Sequence, residues 1–360
     1  MAFKGFDPPS FGSQRRKQLR EAFERALSLA KERHVDALCI AGDLYEDGLA
    51  GPDAAHYVCR KLHELSPIRV FISPGNHDPY SATSLYRLLE PLPPNITLFR
   101  RRQFSKAPLC EGLTLWGSGH ERALDRDPIL RDFCCAGAGT HLLLFHGSDR
   151  DRVPPNKETI APFSAAEIEQ AGAAHAMVGH YHGQSQFGRY AYPGSLEPHN
   201  FMQAGRHTAA LVVVQDGRVN VEFIDINQTR YVEAELGVED VGDSRQLADA
   251  AFAKLRTIVP EPGKVFCRLH LRGQAAATLE LDAAALQAEL NAGFPGTQLI
   301  DEVSAFDLEA IAAETSTVRA EFVKTIARRI EAASDGDERA LLAQARNYGL
   351  AAFAGLSLRA

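Results

Sequence analysis

Four short apolar runs in this chain end at side chains that bind metal ions. LCIAG runs into Asp43, VFISPG into Asn76, His77 and Asp78, LLLF into His146, and AMVG into His180, with His182 two residues further on. One such ending is ordinary, because Asn and Asp tolerate turns and hydrogen-bond their own backbone. Four in succession are hard to explain by packing, since a buried strand gains nothing from an imidazole at its tip unless something is bound there. Carboxylate, amide oxygen and imidazole without thiolate suit Mn²⁺, Fe²⁺ or Zn²⁺ in five- or sixfold coordination, rather than a cysteine-based structural zinc site. An aspartate can bridge two ions that clamp a phosphoryl group and supply hydroxide for in-line attack. Gly-His-x-His puts two imidazoles on one turn, with side chains that could reach different ions.

The surrounding residues have the rhythm of an α/β protein. Leu19, Ala22, Phe23, Ala26, Leu27 and Ala30 predict a helix over 14–33 ahead of VDALCIAGD. Ala54 to Leu65 predicts a helix before IRVFISPGNHD, HLLLFHGSD reads as a strand, and a helix over Ser164 to Ala171 leads into HAMVGHYHG. GRYAYPGS and HTAALVVVQDGRVNVEFIDI are strands, the second a hairpin turning at Asp216-Gly217. In such sheets ligands bind beyond the carboxyl ends of the strands, where the metal-capable residues stand. After Arg230 the pattern becomes a smaller α/β unit: a helix over Leu247 to Ile258, the alternating strand KVFCRLHLRG, and a helix over Ala283 to Leu290. From about residue 305 it turns helical. Val318, Phe322, Ile326 and Ile330 form an apolar stripe, and Asp335 with Glu338 caps a last helix carrying Leu341, Leu342, Ala345 and Phe353.

Charge supports the same division. Basic and acidic residues balance over residues 1–230, 26 of each, so the whole net charge of −7 lies in the last third. A protein that coats nucleic acid through bulk charge usually carries a basic excess, so contact with one must be local, through Arg15-Arg16-Lys17 or Arg100-Arg101-Arg102. No stretch approaches the roughly 18 uninterrupted apolar residues of a membrane span, and MAFKGFDPPS lacks the apolar core of a signal peptide. A cytoplasmic protein with no membrane partner is expected. The six cysteines form no C-x-x-C pair and read as reduced and structural.

Taken in order, GD (Asp43), GNHD (Asn76, His77), HG (His146) and GHYH (His180, His182) resemble the calcineurin-like metallophosphoesterase superfamily over residues 39–183. YPGSLEP after the GHYH strand, then a hairpin, a small domain and a helical tail, resemble the SbcD-type double-strand-break repair exonucleases. The resemblance implies an α/β fold, a metallophosphoesterase β-sandwich flanked by helices, with a small α/β capping domain and a helical C-terminal tail. The implied domains are a nuclease domain over 1–230, a capping and DNA-binding domain over 231–304, and a partner-binding region over 305–360. It makes Asp43 the bridging ligand, gives Asn76, His146 and His180 to one ion and His182 to the other, and sets His77 against the scissile phosphate with Glu46 orienting it. Asp78 either does the same or finishes a turn. The implied cofactors are two divalent ions, Mn²⁺ first, with Fe²⁺, Zn²⁺ or Mg²⁺ as alternatives. The implied partners are DNA and an SMC-like coiled-coil ATPase, and a homodimer is left open.

The chain departs from this family at its first motif. The Asp-x-His that ends the first strand is missing, and Asp7, before Pro8-Pro9, is the one early carboxylate that could stand in. The second ion is therefore expected to bind weakly. His34, His56, His63, His120, His141, His175, His207 and His270 lack the strand-end glycine context and are assigned to surface or core, whereas His199 is kept as a substrate contact. Ser195 is read as a turn residue. Three functions follow: a metal-dependent DNA exonuclease with endonuclease capacity, a phosphodiesterase or phosphatase for small molecules, or a catalytically weak scaffold that binds DNA or a partner.

Overall fold

The computed structural model describes residues 9–153, 158–274, 281–304, 306–334 and 336–355. Asp7 and Asp335 lie outside them. The chain divides into two compact units, Met1–Gln228 and Thr229–Ala360.

The first unit starts with α1 (Pro9–Glu32), β1 (Ala37–Ile40), α2 (Pro52–His63), β2 (Arg69–Ile72) and β3 (Ile96–Leu98), and its three strands pair in parallel in the order β1-β2-β3. A six-stranded sheet follows. It contains β4 (Ser105–Cys110), β5 (Leu113–Gly117), β6 (Thr140–His146), β7 (His175–Gly179), β8 (Ser185–Phe187) and β9 (Tyr190–Tyr192) in the order β4-β5-β6-β7-β9-β8, with α3 (Ala165–Gln170) crossing from β6 to β7. The hairpin β10 (Thr208–Gln215) and β11 (Arg218–Asp225) turns at Asp216 and Gly217, both at positive φ as such a turn requires.

Strand alternation assigns every apolar side chain to a layer. Phe71 joins Leu115, Leu142 and Leu144 between the two sheets. Val70 and Ile72 face the other way, onto Phe23 and Leu27 of α1 and Val58 and Leu62 of α2. Leu143 and Phe145 face outward onto Phe163 and Ile168 around α3. LLLF is continuously apolar because both faces of β6 are covered. The result is a sandwich of two sheets flanked by helices. β3, β4 and β5 lack strong sequence signals: β3 has three residues, and β4 carries Pro108 and a register shift before Cys110. All six cysteines are free thiols, with Cys110 and Cys134 exposed.

The second unit is a parallel sheet, β12 (Arg230–Gly237), β13 (Val265–Gln274) and β14 (Thr297–Ser304), with α4 (Ser244–Ile258) and α5 (Ala283–Gly293) packed on one face through Cys267, Leu269 and Leu271. The alternation expected in KVFCRLHLRG is present. Its polar face is only partly solvated, however: His270 is buried, Glu302 is half-buried, and Arg268 and the exposed Arg272 pair with Glu233 and Glu302.

Helices α6 (Leu308–Ala313), α7 (Val318–Ala332) and α8 (Gly336–Phe353) bury their stripes against one another, and Asn347 of α8 donates to the Val303 carbonyl of β14. The expected stripe is only partly right. Phe322, Ile326 and Ile330 pack inward, but Val318 is 76% exposed, because each step of four residues overshoots a helical turn by about 40°. On α8 the buried positions are Gly336, Leu342, Ala343, Arg346 and Leu350, whereas Leu341 and Phe353 face out. No helix among the described residues is long and apolar enough to cross a membrane.

Candidate metal centre

Both sheets of the first unit end their parallel strands at the same place. β1 leads through Gly42 to Asp43, both at positive φ, β2 through Gly75 to Asn76, β6 ends on His146, and β7 leads to His180, which has φ 120°. The glycines let the loops meet backbone to backbone. A Cβ on Gly42 would stand 2.6 Å from both the Gly75 nitrogen and His146 Nδ1, and one on Gly75 would run into the Asp43 carboxylate. Left-handed conformations at two non-glycine residues are costly, and such strain is typical where geometry serves a bound group.

Ligand atoms of Asp43, His146 and His180 all lie within 4.8 Å of one another. His146 is the hub. Its Nδ1 lies 2.8 Å from the Ala41 carbonyl, which puts the proton there and turns the Nε2 lone pair inward. Around Nε2 stand Asn76 Oδ1 at 3.0 Å, Asp43 Oδ2 at 3.3 Å and His180 Nδ1 at 3.3 Å. Two oxygens and two nitrogens thus aim lone pairs at one point, an arrangement that needs a proton or a cation between them. The donor set, without a thiolate, fits a divalent first-row ion.

The electrostatics agree. Burial and the charge on His146 push His180 down to about 3, so its ring is neutral, as a ligand must be. Burial alone would raise Asp43, but His146 and His77 hold its carboxyl well below the usual range. His146 is raised despite its burial, because Asp43 stabilises its charged form. A bound cation would take over the role of that proton.

Two neighbours were not evident in the sequence. Asp78 does not orient His77; it clamps the two ligand loops together from beneath. Buried to 1% exposure, it accepts from the backbone nitrogens of Asp43 at 3.0 Å, Leu44 at 2.8 Å and Gly75 at 2.6 Å, and from the Tyr86 hydroxyl at 2.7 Å. Burial and the Asp43 charge push it up to about 6. His120 is also buried, with Nε2 2.9 Å from the His146 carbonyl, and burial lowers it to about 4. It braces the strand that carries His146 and so belongs to the site's support.

His77 stays outside the cluster. Its backbone N–H donates to Asp43 Oδ1 at 2.9 Å, while its half-exposed ring sets Nδ1 3.0 Å from Glu46 Oε2. An open cleft of about 500 Å³ runs past Glu46, Asn76, His77 and His180 to Leu124 and Glu158. His182 also lies outside the three-residue group: Nδ1 is 2.7 Å from Gln203 Nε2, and its ring centroid is 5.3 Å from that of His199. Ser195 hydrogen-bonds His207 and the Glu197 carbonyl, and His207, itself buried, is held by the Gln203 carbonyl. That is a structural knot rather than a nucleophile.

Residues 12–184 match the calcineurin-like phosphoesterase family. The chain is 25% identical over 264 residues to the DNA double-strand break repair protein Mre11 of Methanopyrus kandleri, covering 64% of this chain. It spans 56% of that relative, little more than half its length. Among solved structures it resembles TT1561 of Thermus thermophilus, with 17% identity and a TM-score of 0.39, over 57% of this chain and 93% of that one.

Proposed function

We propose that this chain, which carries a calcineurin-like phosphoesterase domain, is a metal-dependent DNA phosphodiesterase, an exonuclease with endonuclease capacity, serving double-strand-break repair. The observation behind this reading is the convergence of Asp43, Asn76, His146 and His180 beside the exposed Glu46–His77 pair. In it, Asp43, Asn76, His146 and His180 would hold the divalent metal, with Mn²⁺ ahead of Fe²⁺, Zn²⁺ or Mg²⁺. When bound, such ions polarise a phosphoryl group and a water molecule. The rest falls to the chain. His77, with Nδ1–H given to Glu46, presents Nε2–H to the phosphate and passes its proton to the leaving oxygen. Asp78, Ala41 and His120 keep the ligand loops in place.

The similarity to a protein described as a DNA double-strand break repair protein supports DNA as substrate. Residues 231–304 would then cap the nuclease domain over 1–230 and contact DNA. Residues 305–360 would dock onto an SMC-like coiled-coil ATPase in the cytoplasm, through a surface that includes Val318, Leu341, Tyr348 and Phe353, all exposed. A second reading, a phosphodiesterase for nucleotides, is favoured by the acidic lining of the cleft, Glu46, Asp47 and Glu158, which opposes a polyanion. Hydrolysis of linear duplex DNA and of thymidine 5′-monophosphate p-nitrophenyl ester, measured side by side with Mn²⁺, tests the choice. Degraded DNA is the expected result; a cleaved ester with intact DNA would establish the second reading.

A further inference from the structure

Leu124 is 58% exposed on the wall of the cleft that holds His77 and His180, where Ala123, Pro79 and Ile160 extend its apolar surface. A lone exposed leucine is ordinary on a protein surface. This one stands on a loop that is held from behind. Asp125, the next residue, is buried; its side chain accepts from Arg102 Nε at 2.6 Å and from the Asp127 backbone N–H at 3.2 Å, and its carbonyl accepts from the Ala161 N–H at 2.7 Å. The same guanidinium donates through Nη2 to the carbonyls of Asp127 and Pro128, each at 2.9 Å. Arg102, read from the sequence as a local contact for nucleic acid, turns inward instead and fixes the segment that presents Leu124.

The rest of the cleft is acidic. Glu46, Asp47 and Glu158 line it, and no lysine or arginine stands among the described residues that do so. Arg126 reaches Glu158 at 3.3 Å, but both side chains are exposed and such a pair contributes little. A second phosphate placed here would meet carboxylates with no cation to balance them. The part of a phosphodiester that extends from His77 toward Leu124 is therefore an uncharged one, and the apolar face of a base matches the apolar wall. We propose that Leu124 is a specificity-determining residue, a seat for the base of the nucleotide whose phosphate lies at His77, and that Arg102 is a positioning residue that holds it there through Asp125. The placement of the phosphate rests on the phosphodiesterase reading above; the seat is a property of the cleft. Because the loop is fixed before the substrate arrives, the contact forms with little loss of conformational freedom.

Calorimetric titration with Mn²⁺ present tests this by comparing thymidine 5′-monophosphate and thymidine 3′-monophosphate, the products of cleavage on either side of the phosphorus, with inorganic phosphate. In the wild type at least one of the nucleotides should bind about tenfold more tightly than phosphate. Leu124→Ser should remove that gain and leave phosphate affinity within about twofold, whereas Leu124→Phe should keep it. Arg102→Gln should show the same selective loss, with no further loss in Arg102→Gln/Leu124→Ser, because both changes act on one contact. Nucleotides bound no more tightly than phosphate by the wild type would overturn the proposal. So would a Leu124→Ser variant that loses phosphate as fully as nucleotide, or that loses neither. Losses that add in the double variant would refute the positioning role of Arg102. A wild type that shows the base-dependent affinity yet cleaves no phosphodiester would uphold the seat and sink the functional reading instead.

Discussion

Gly75→Ala tests whether the two ligand loops touch as closely as described. The new Cβ would lie 2.7 Å from the Asp43 nitrogen and 2.9 Å from His146 Cε1, and would overlap the Asp43 carboxylate. Ordinary contact needs roughly 3.4 Å or more, so the Asp43 backbone must retreat by about 0.7 Å. That backbone cannot swing aside cheaply, because its N–H is held by buried Asp78. Overpacking of this kind costs about 1–3 kcal/mol of stability, or a few degrees of melting temperature for a unit of this size. The larger effect falls on the ion, since shifts approaching 1 Å in positioned groups cost on the order of 100-fold. Calorimetric Mn²⁺ titration should therefore show affinity reduced by about two orders of magnitude while the protein stays folded. Gly51→Ala, at a glycine with open space around it, is the control and should leave binding unchanged. Mn²⁺ affinity of Gly75→Ala within twofold of the wild type would refute the loop packing.

His77→Ala should keep its metal while hydrolysis falls about 10²- to 10⁴-fold, the range for a lost general acid, whereas Asp43→Ala and His180→Ala should lose both; metal analysis of the three proteins checks the division. His175, 2% exposed, is pushed by burial from 6.5 down to about 4. Between those values the unfolded chain takes a proton that the fold refuses, so this stability is complete above pH 6.5 and is lost as pH falls toward 4, roughly 3 kcal/mol in all. Urea unfolding at pH 7 and 4.5 should show a correspondingly shallower pH dependence in His175→Leu, and an unchanged slope would contradict the assignment. Leu341→Asp with Phe353→Asp should abolish co-purification with an SMC-like ATPase and leave DNA hydrolysis intact, as a pull-down with an activity assay would show.

The site was legible where chemistry and strand rhythm coincide. Asp43, Asn76, His146 and His180 each follow an apolar run, and a run buried on both faces, such as LLLF, is unmistakable in a one-dimensional pattern. Residues that act through distant partners left no such trace. Asp78 looks like a turn residue until Asp43, 35 positions earlier in the chain, is seen to hang from it. His120 shows its role only beside the His146 carbonyl. In the fold, the strands that escaped notice are short or edge strands with one partner, β3, β4, β8, β12 and β14, together with β5. The polar face of β13 misleads for a related reason: Arg268, His270 and Arg272 mimic a solvated strand while pairing with Glu233 and Glu302 across the sheet.

The most direct test of the metal centre is a crystal of the protein grown with Mn²⁺ and measured at the manganese absorption edge. An anomalous peak within about 2–2.5 Å of Asp43, Asn76, His146 and His180 together is the predicted result. Manganese bound elsewhere, with no peak in reach of Asp43 and His146, would contradict the account.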